Sequence, residues 1–196
     1  MLKVVLQTFL SLDGVYQAPG GAEEDTEGGF KLGGWQIKFW DDAAGKIMDQ
    51  QLAETQALLL GRKTYQIFAA YWPTAKEDLE VANKFNAVPK YVVSTTLKTA
   101  DWKGTTIITS NLAQEVSRAR QQGSSGVLAV VGSGKLAQSL MKEGLVDEYR
   151  FWIHPIVLGS GKRLFDNGVI PANLKLVDSK ITSAGVVMLT YLPEKK

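Results

Sequence analysis

Three apolar runs in this chain each end in small, donor-rich residues: Leu58-Leu59-Leu60-Gly61-Arg62-Lys63-Thr64-Tyr65, Tyr91-Val92-Val93-Ser94-Thr95-Thr96, and Val130-Val131-Gly132-Ser133-Gly134-Lys135-Leu136. Each reads as a buried strand whose carboxyl end opens onto polar backbone and short side chains. In open α/β sheets that edge is where ligands sit. One glycine after one strand marks only a turn. Three such exits in a single chain point to one phosphate-bearing ligand, in the first place a nucleotide cofactor.

A chain of 196 residues is long enough for one sizeable core and short for two full domains, so a single domain over 1–196 is expected. The hydrophobic share of 45% and charged share of 21% belong to a globular protein and set disorder aside. With 22 basic and 20 acidic residues and no block of like charges, no nucleic-acid footprint stands out. The absence of cysteine removes disulfides, thiolate catalysis and thiolate-bound metal, and is compatible with a reducing cytoplasm, the expected location. The sole histidine, His154, cannot build a multi-histidine metal centre, so no metal is expected. The first residues, Met1-Leu2-Lys3-Val4-Val5-Leu6-Gln7, are apolar only briefly and do not read as a signal peptide. No apolar stretch approaches the roughly 20 residues of a membrane span.

Residues 2–10 read as a central strand, followed by a turn at Ser11-Leu12-Asp13-Gly14. From Gln17 to Gly34 the chain is rich in glycine, proline and acid, and a loop of this length reads as a lid or a flexible excursion. A helix opens at Asp41 or Asp42, either of which can cap it, and its stripe of Ala44, Ile47, Met48, Gln51 and Leu52 runs to Glu54. Strand 57–60 and a helix from Arg62 to Tyr71 follow. Beyond them come helix 78–86, strands 90–96 and 105–109, helix 111–122, strand 126–131 and helix 133–143. Repeated strand–helix–strand units predict a largely parallel sheet with right-handed crossovers. Residues 146–157, 174–182 and 185–192 read as strands without helices between them. The last two turn at Ser183-Ala184-Gly185 and add an antiparallel hairpin to the sheet edge.

Gly61-Arg62-Lys63-Thr64 places a strand exit, two cations and a hydroxyl at the first turn of a helix, where free N–H groups attract anions. A helix start with exposed charges would read the same way. Gly132-Ser133-Gly134-Lys135 is a second strand-to-helix turn whose glycines let backbone approach a pyrophosphate. Neither the phosphate-loop spacing nor the three-glycine dinucleotide pattern is present. Ser94 and Thr95, together with Arg62 or Lys63, could hold a further phosphate such as the one that distinguishes NADPH from NADH.

On these residues the chain resembles a known family. Gly61-Arg62-Lys63-Thr64-Tyr65 and Val131-Gly132-Ser133-Gly134-Lys135 are similar to the corresponding segments of dihydrofolate reductases. Ser11-Leu12-Asp13-Gly14, Val146-Asp147-Glu148-Tyr149 and the stretch from Pro155 to Phe165 are more similar to the C-terminal reductase domain of the bacterial bifunctional riboflavin biosynthesis protein. The resemblance covers nearly the whole chain. It implies a three-layer α/β fold with a mixed, mainly parallel sheet, and NADPH laid across the strand ends. Arg62, Lys63 and Thr64 after Gly61 would contact the adenosine-side phosphates, and Ser94 and Thr95 would lie near the ribose 2′-phosphate. Val131, Gly132, Ser133, Gly134, Lys135 and Leu136 would hold the pyrophosphate. The backbone around Thr8 and Phe9 and the turn through Asp13, Gly14 and Val15 would border the nicotinamide. The resemblance also implies a homodimer, for which the edge hairpin offers a surface.

The departures concern the substrate. Dihydrofolate reductases carry an acid on the first helix about sixteen positions before the Gly-Arg pair, and that count lands on Gly45. The threonine that backs the acid is replaced by Phe151, which joins Trp35, Phe39 and Trp40 as a candidate substrate contact, and the tyrosine expected after the glycine turn by Ala137. Asp41 and Asp42 are the nearest acids, either entering the pocket or capping the helix. Asp13 either binds substrate or simply makes an Asp-Gly turn. Trp35, Phe39 and Trp40 form either a stacking wall for a planar heterocycle or a core that anchors the loop. His154 reads as a satisfied structural histidine. The expected activity is NADPH-dependent reduction of a small planar nitrogen heterocycle or its ribosyl derivative, with Asp13, Asp41, Asp42 or a water they order as proton source. A binding module that holds NADP(H) or flavin without turnover, and a divergent pterin reductase, are the alternatives.

Overall fold

A computed structural model of the chain describes residues 1–165 and 171–194. Eight strands form one mixed sheet in the order β4-β3-β2-β5-β1-β6-β8-β7. Strand β1 (Lys3–Ser11) lies inside the sheet, and β2 (Thr55–Gly61), β3 (Lys90–Val93) and β4 (Thr105–Ile108) extend it to one side. The chain then returns to place β5 (Val127–Val131) between β2 and β1, and β6 (Glu148–His154) on the far side of β1. These six strands pair in parallel. Antiparallel β8 (Val187–Pro193) joins β6, and β7 (Leu174–Ile181) closes the edge.

Both faces of the parallel part are covered, which is why its strands read as continuous apolar runs. Leu58, Leu59 and Leu60 are all fully buried, although successive side chains point to opposite faces. On one face Leu58 and Leu60 pack with Val5, Val92 and Ala129 beneath α1 (Asp42–Glu54), α2 (Arg62–Tyr71) and α3 (Leu79–Ala87). On the other, Leu59 packs with Leu6, Leu128 and Val130 under α4 (Leu112–Gln121) and α5 (Gly134–Lys142).

Some expected elements end earlier, for local reasons. The strand expected over 90–96 stops at Val93, because the Ser94 hydroxyl accepts from the Thr96 and Leu97 amides and bends the chain into a turn. The strand expected over 146–157 runs only from Glu148 to His154. Ahead of it the Asp147 carboxylate is bound to the Val4 amide and Arg120, and behind it Pro155 has no N–H to offer the ladder. The long stretch from Gln17 to Gly34 holds one short 3-10 turn at Glu27–Gly29, and its two ends are fastened together by the Trp35 indole, which donates to the Gln17 carbonyl at 2.8 Å.

Candidate functional site

Adjacent strands β2 and β5 send their following helices, α2 and α5, to opposite faces of the sheet. In open α/β sheets such a divergence at the carboxyl ends of adjacent strands marks the crevice where ligands bind. Neither helix start is capped by a side chain at its N-cap residue, Gly61 for α2 and Ser133 for α5. The first-turn amides on both sides are therefore available to an anion. The two starts touch: the Gly61 amide donates to the Ser133 hydroxyl at 3.0 Å, and that hydroxyl donates to the Val131 carbonyl at 3.0 Å. Gly132 and Ser133 both take left-handed backbone, at φ 56 and 54, which turns the chain sharply from strand to helix over Thr64. Arg62, Lys63 and Lys135 stand exposed around this junction, and Leu136 closes its floor.

The neighbouring strand ends complete the edge. Gly61 lies beside Val93, so Arg62 and Ser94 leave adjacent strands. Ser94 is buried in its own turn and Thr95 is exposed next to it. On the other side the Gly132 amide donates to the Gln7 carbonyl, bringing Thr8 and Phe9 to the junction's border. The Thr8 hydroxyl is buried with no protein partner among the described residues. A buried hydroxyl of this kind is normally satisfied by water or a ligand.

A strap formed by residues 13–35 crosses this edge. Val15 is fully buried and bridges to Arg163, and Gly14 accepts from the Leu164 amide. The Tyr16 ring lies directly on Gly134: a Cβ there would fall 2.4 Å from the ring, so only glycine fits at the start of α5. Burial raises the Tyr16 phenol above its ordinary pKa and keeps it protonated. Gln17 is the strap's buried anchor, donating to the Asp25 and Glu27 carbonyls and accepting from the Lys162 amide. The Lys162 ammonium in turn holds the Asp25 and Glu27 carboxylates at 2.6 and 2.7 Å. The sequence reading missed Tyr16, Gln17 and Lys162, because a pairing 145 residues apart leaves no local signal.

Of the three candidate acids, Asp13 and Asp41 are already engaged. Burial raises the Asp13 pKa, but the Leu158 amide, the Ser11 hydroxyl, the Gly159 amide and Arg163 together outweigh it and hold the carboxyl well below its usual range. Asp13 therefore clasps the 158–163 turn as a carboxylate. Asp41 caps α1 through the Ala44 amide and reaches the β7–β8 turn. The Ser183 hydroxyl, with the Ala44 amide and then the Ala184 amide, lowers its pKa to about 2. Asp42 is exposed in the first turn of α1.

The aromatic residues divide between the two roles considered for them. Trp35 is core, whereas Trp40 is 44% exposed and lies parallel to Trp152, with centroids 6.1 Å apart. Phe39 stands between solvent and His154. Phe151 is not brought to this side. Pairing sets Thr8 beside Phe151 and Phe9 beside Trp152, and the alternation of the strand sends Phe151 to the α5 face, among Tyr149, Phe165 and Tyr191. Trp152 is the residue that faces α1, where its indole donates to Gln51. At Gly45, the position to which the sixteen-residue spacing points, the nearest neighbour of an added Cβ would be the Trp40 indole nitrogen. His154 is buried, its Nδ1 within hydrogen-bonding distance of the Trp152 and Leu10 carbonyls at 3.0 and 3.3 Å, and burial lowers its pKa despite these bonds.

A mainly parallel α/β sheet thus carries two touching, uncapped helix starts at the carboxyl ends of β2 and β5, and the parallel Trp40 and Trp152 rings lie beyond β1. The profile of the RibD C-terminal domain matches residues 2–188, and the chain belongs to that family, a reductase-like branch of the dihydrofolate reductase-like superfamily. It is 28% identical over 192 residues to the uncharacterized protein YyaP of Bacillus subtilis (strain 168), covering 96% of this chain and 94% of that one. The fold is similar to a crystal structure from Shewanella sp. PV-4 provisionally assigned to riboflavin biosynthesis, at a TM-score of 0.74 and 18% identity over 99% of this chain and 100% of the other. A pyrimidine reductase-like protein from Corynebacterium diphtheriae is similar at a TM-score of 0.65 and 10% identity, over 100% and 93% of the two chains.

Proposed function

We propose that this protein is an NADPH-dependent reductase of a small planar nitrogen heterocycle or its ribosyl derivative, most like the reduction of 5-amino-6-(5-phosphoribosylamino)uracil in riboflavin biosynthesis. The observation that carries the reading is the junction of the two uncapped helix starts, with Arg62, Lys63 and Lys135 around it, a donor set suited to a dinucleotide's phosphates. Family membership and the pyrimidine reductase-like neighbour support the same chemistry.

Gly132, Ser133 and Gly134 with Leu136 would hold the pyrophosphate, Arg62, Lys63 and Thr64 the adenosine-side phosphates, and Ser94 and Thr95 the region of the 2′-phosphate. When bound, NADPH supplies the hydride. The Phe9 and Val15 side of the crevice would exclude water, and Trp40 would offer the substrate ring a stacking face. Neither Asp13 nor Asp41 holds a proton near neutrality. The proton would therefore come from water or from the Tyr16 phenol.

A second reading, a module that binds NADP(H) without turnover, is favoured by the commitment of Asp13 and Asp41 and by the placement of Trp40 over Gly45. Loss of dihydronicotinamide absorbance with a panel of aminopyrimidine ribosides, pterins and quinones separates the two. Turnover of an aminopyrimidine riboside is the expected result. Tight NADPH binding with no turnover of any compound would favour the module, and no binding would overturn both.

We also infer a homodimer joined through β7. Apart from Leu174 its residues are all exposed, including Leu176, Val177 and Ile181. Antiparallel pairing of two copies about Ser179 would set Asp178 opposite Lys180 and Val177 opposite Ile181.

A further inference from the structure

We propose that Glu27 is an internal stand-in for a ligand phosphate: its carboxylate holds Lys63 at the start of α2 in the free protein, and a phosphate-bearing ligand enters the crevice by taking Lys63 from it. The inference rests on the reading of the crevice as a phosphate site. One Glu27 oxygen, Oε2, lies 2.7 Å from the Lys162 ammonium and 3.6 Å from that of Lys63. The two contacts differ in kind. Lys162 is further gripped at 2.6 Å by Asp25, whose side chain is only 12% exposed, so this end of the strap is fixed. The Lys63 contact joins two side chains each 56% exposed, at the long end of ion-pair distance, and can be released. Exposed pairs of this type shift an equilibrium by only roughly two- to five-fold, enough to tune entry and too little to block it. Directly after Glu27 come Gly28 and Gly29 at φ 72 and 75, backbone that lets the turn be re-aimed without strain. Tyr16, on Gly134, belongs to the same strap, since its amide donates to the Lys162 carbonyl. Displacing Glu27 therefore frees the turn on the α2 side while Asp25, Gln17 and Lys162 keep the strap attached.

The test is calorimetric titration of NADP+ and, separately, of inorganic pyrophosphate into wild type, Glu27→Gln, Lys63→Gln and the double variant. Glu27→Gln should bind NADP+ about two- to five-fold more tightly at low ionic strength. The gain should vanish in the Lys63→Gln background and shrink at high salt. Without ligand, amides 25–29 should exchange faster in Glu27→Gln than in wild type. Tightening toward pyrophosphate alone, with no NADP+ binding, would support the latch and reject the cofactor reading. Equal or weaker binding of both probes by Glu27→Gln, or a gain that persists without Lys63, would overturn the latch.

Discussion

The Gly61 amide donates to the Ser133 hydroxyl across 3.0 Å, so the starts of α2 and α5, 72 residues apart in sequence, are fastened into one junction. Ser133 is 7% exposed, and removing its hydroxyl leaves the amide without its protein partner. Ser133→Ala should cost roughly 1–2 kcal/mol in urea denaturation. It should also weaken NADPH several-fold by letting the two helix starts drift apart. Unchanged affinity alongside lost stability would show that the junction is structural only.

Gly134 is the one position at this junction where a side chain would collide with an aromatic ring. Gly134→Ala should destabilise by about 1–3 kcal/mol, because the methyl group must displace Tyr16. In a Tyr16→Ala background the same substitution should cost far less. A double-mutant cycle by chemical denaturation reads the difference, and additivity would mean that Tyr16 does not rest on Gly134.

The junction was legible in the sequence because Gly61-Arg62-Lys63-Thr64 and Gly132-Ser133-Gly134 are local signals, set by what a strand-to-helix turn requires. The parallel core was legible for the same reason, through unbroken runs such as Leu58-Leu59-Leu60. The face that Phe151 occupies was not legible, because face assignment depends on register: only the pairing of Phe9 with Trp152 shows which of two adjacent aromatics faces α1. The strap was illegible for a different reason. Its stability comes from Gln17 and Lys162, whose partners lie far along the chain, and composition shows only glycine and acid.

Asp41 couples α1 to the β7–β8 turn through its charge. Its pKa falls from 3.8 to about 2 on folding, so the folded state binds this proton less readily than the unfolded chain. The resulting stabilisation is complete above pH 4 and is lost as pH falls toward 2. Thermal melts of Asp41→Asn should therefore lie below wild type at neutral pH and converge with it over that window. A difference independent of pH would assign the effect to shape rather than charge.

The β7 edge, unpaired among the described residues, gives the proposed homodimer a direct test. Val177→Lys places a charge where two copies would bring Val177 against Ile181, and β7 makes few contacts with its own chain's core. Sedimentation should show a dimer for wild type and a monomer for the variant, with an unchanged melt at low protein concentration. A variant that remains dimeric would move the interface elsewhere.

Lys90 is fully buried at the start of β3, its ammonium donating to the Asn86 and Lys103 carbonyls and lying 4.5 Å from the Trp102 ring centroid, with no carboxylate partner among the described residues. Burial lowers its pKa from 10.5 to about 8. Between those values the unfolded chain keeps a proton that the folded state has released, so this residue's contribution to stability rises with pH. The rise is at most roughly 3 kcal/mol, because each tenfold loss of proton affinity corresponds to about 1.4 kcal/mol. Lys90→Met removes the titration and preserves volume. Its stability relative to wild type should fall as pH climbs from 8 to 10.5, measured by denaturant titration at each pH. A relative stability that stays flat over that range would mean that Lys90 keeps its proton inside the folded protein, held by the two carbonyls and the indole face.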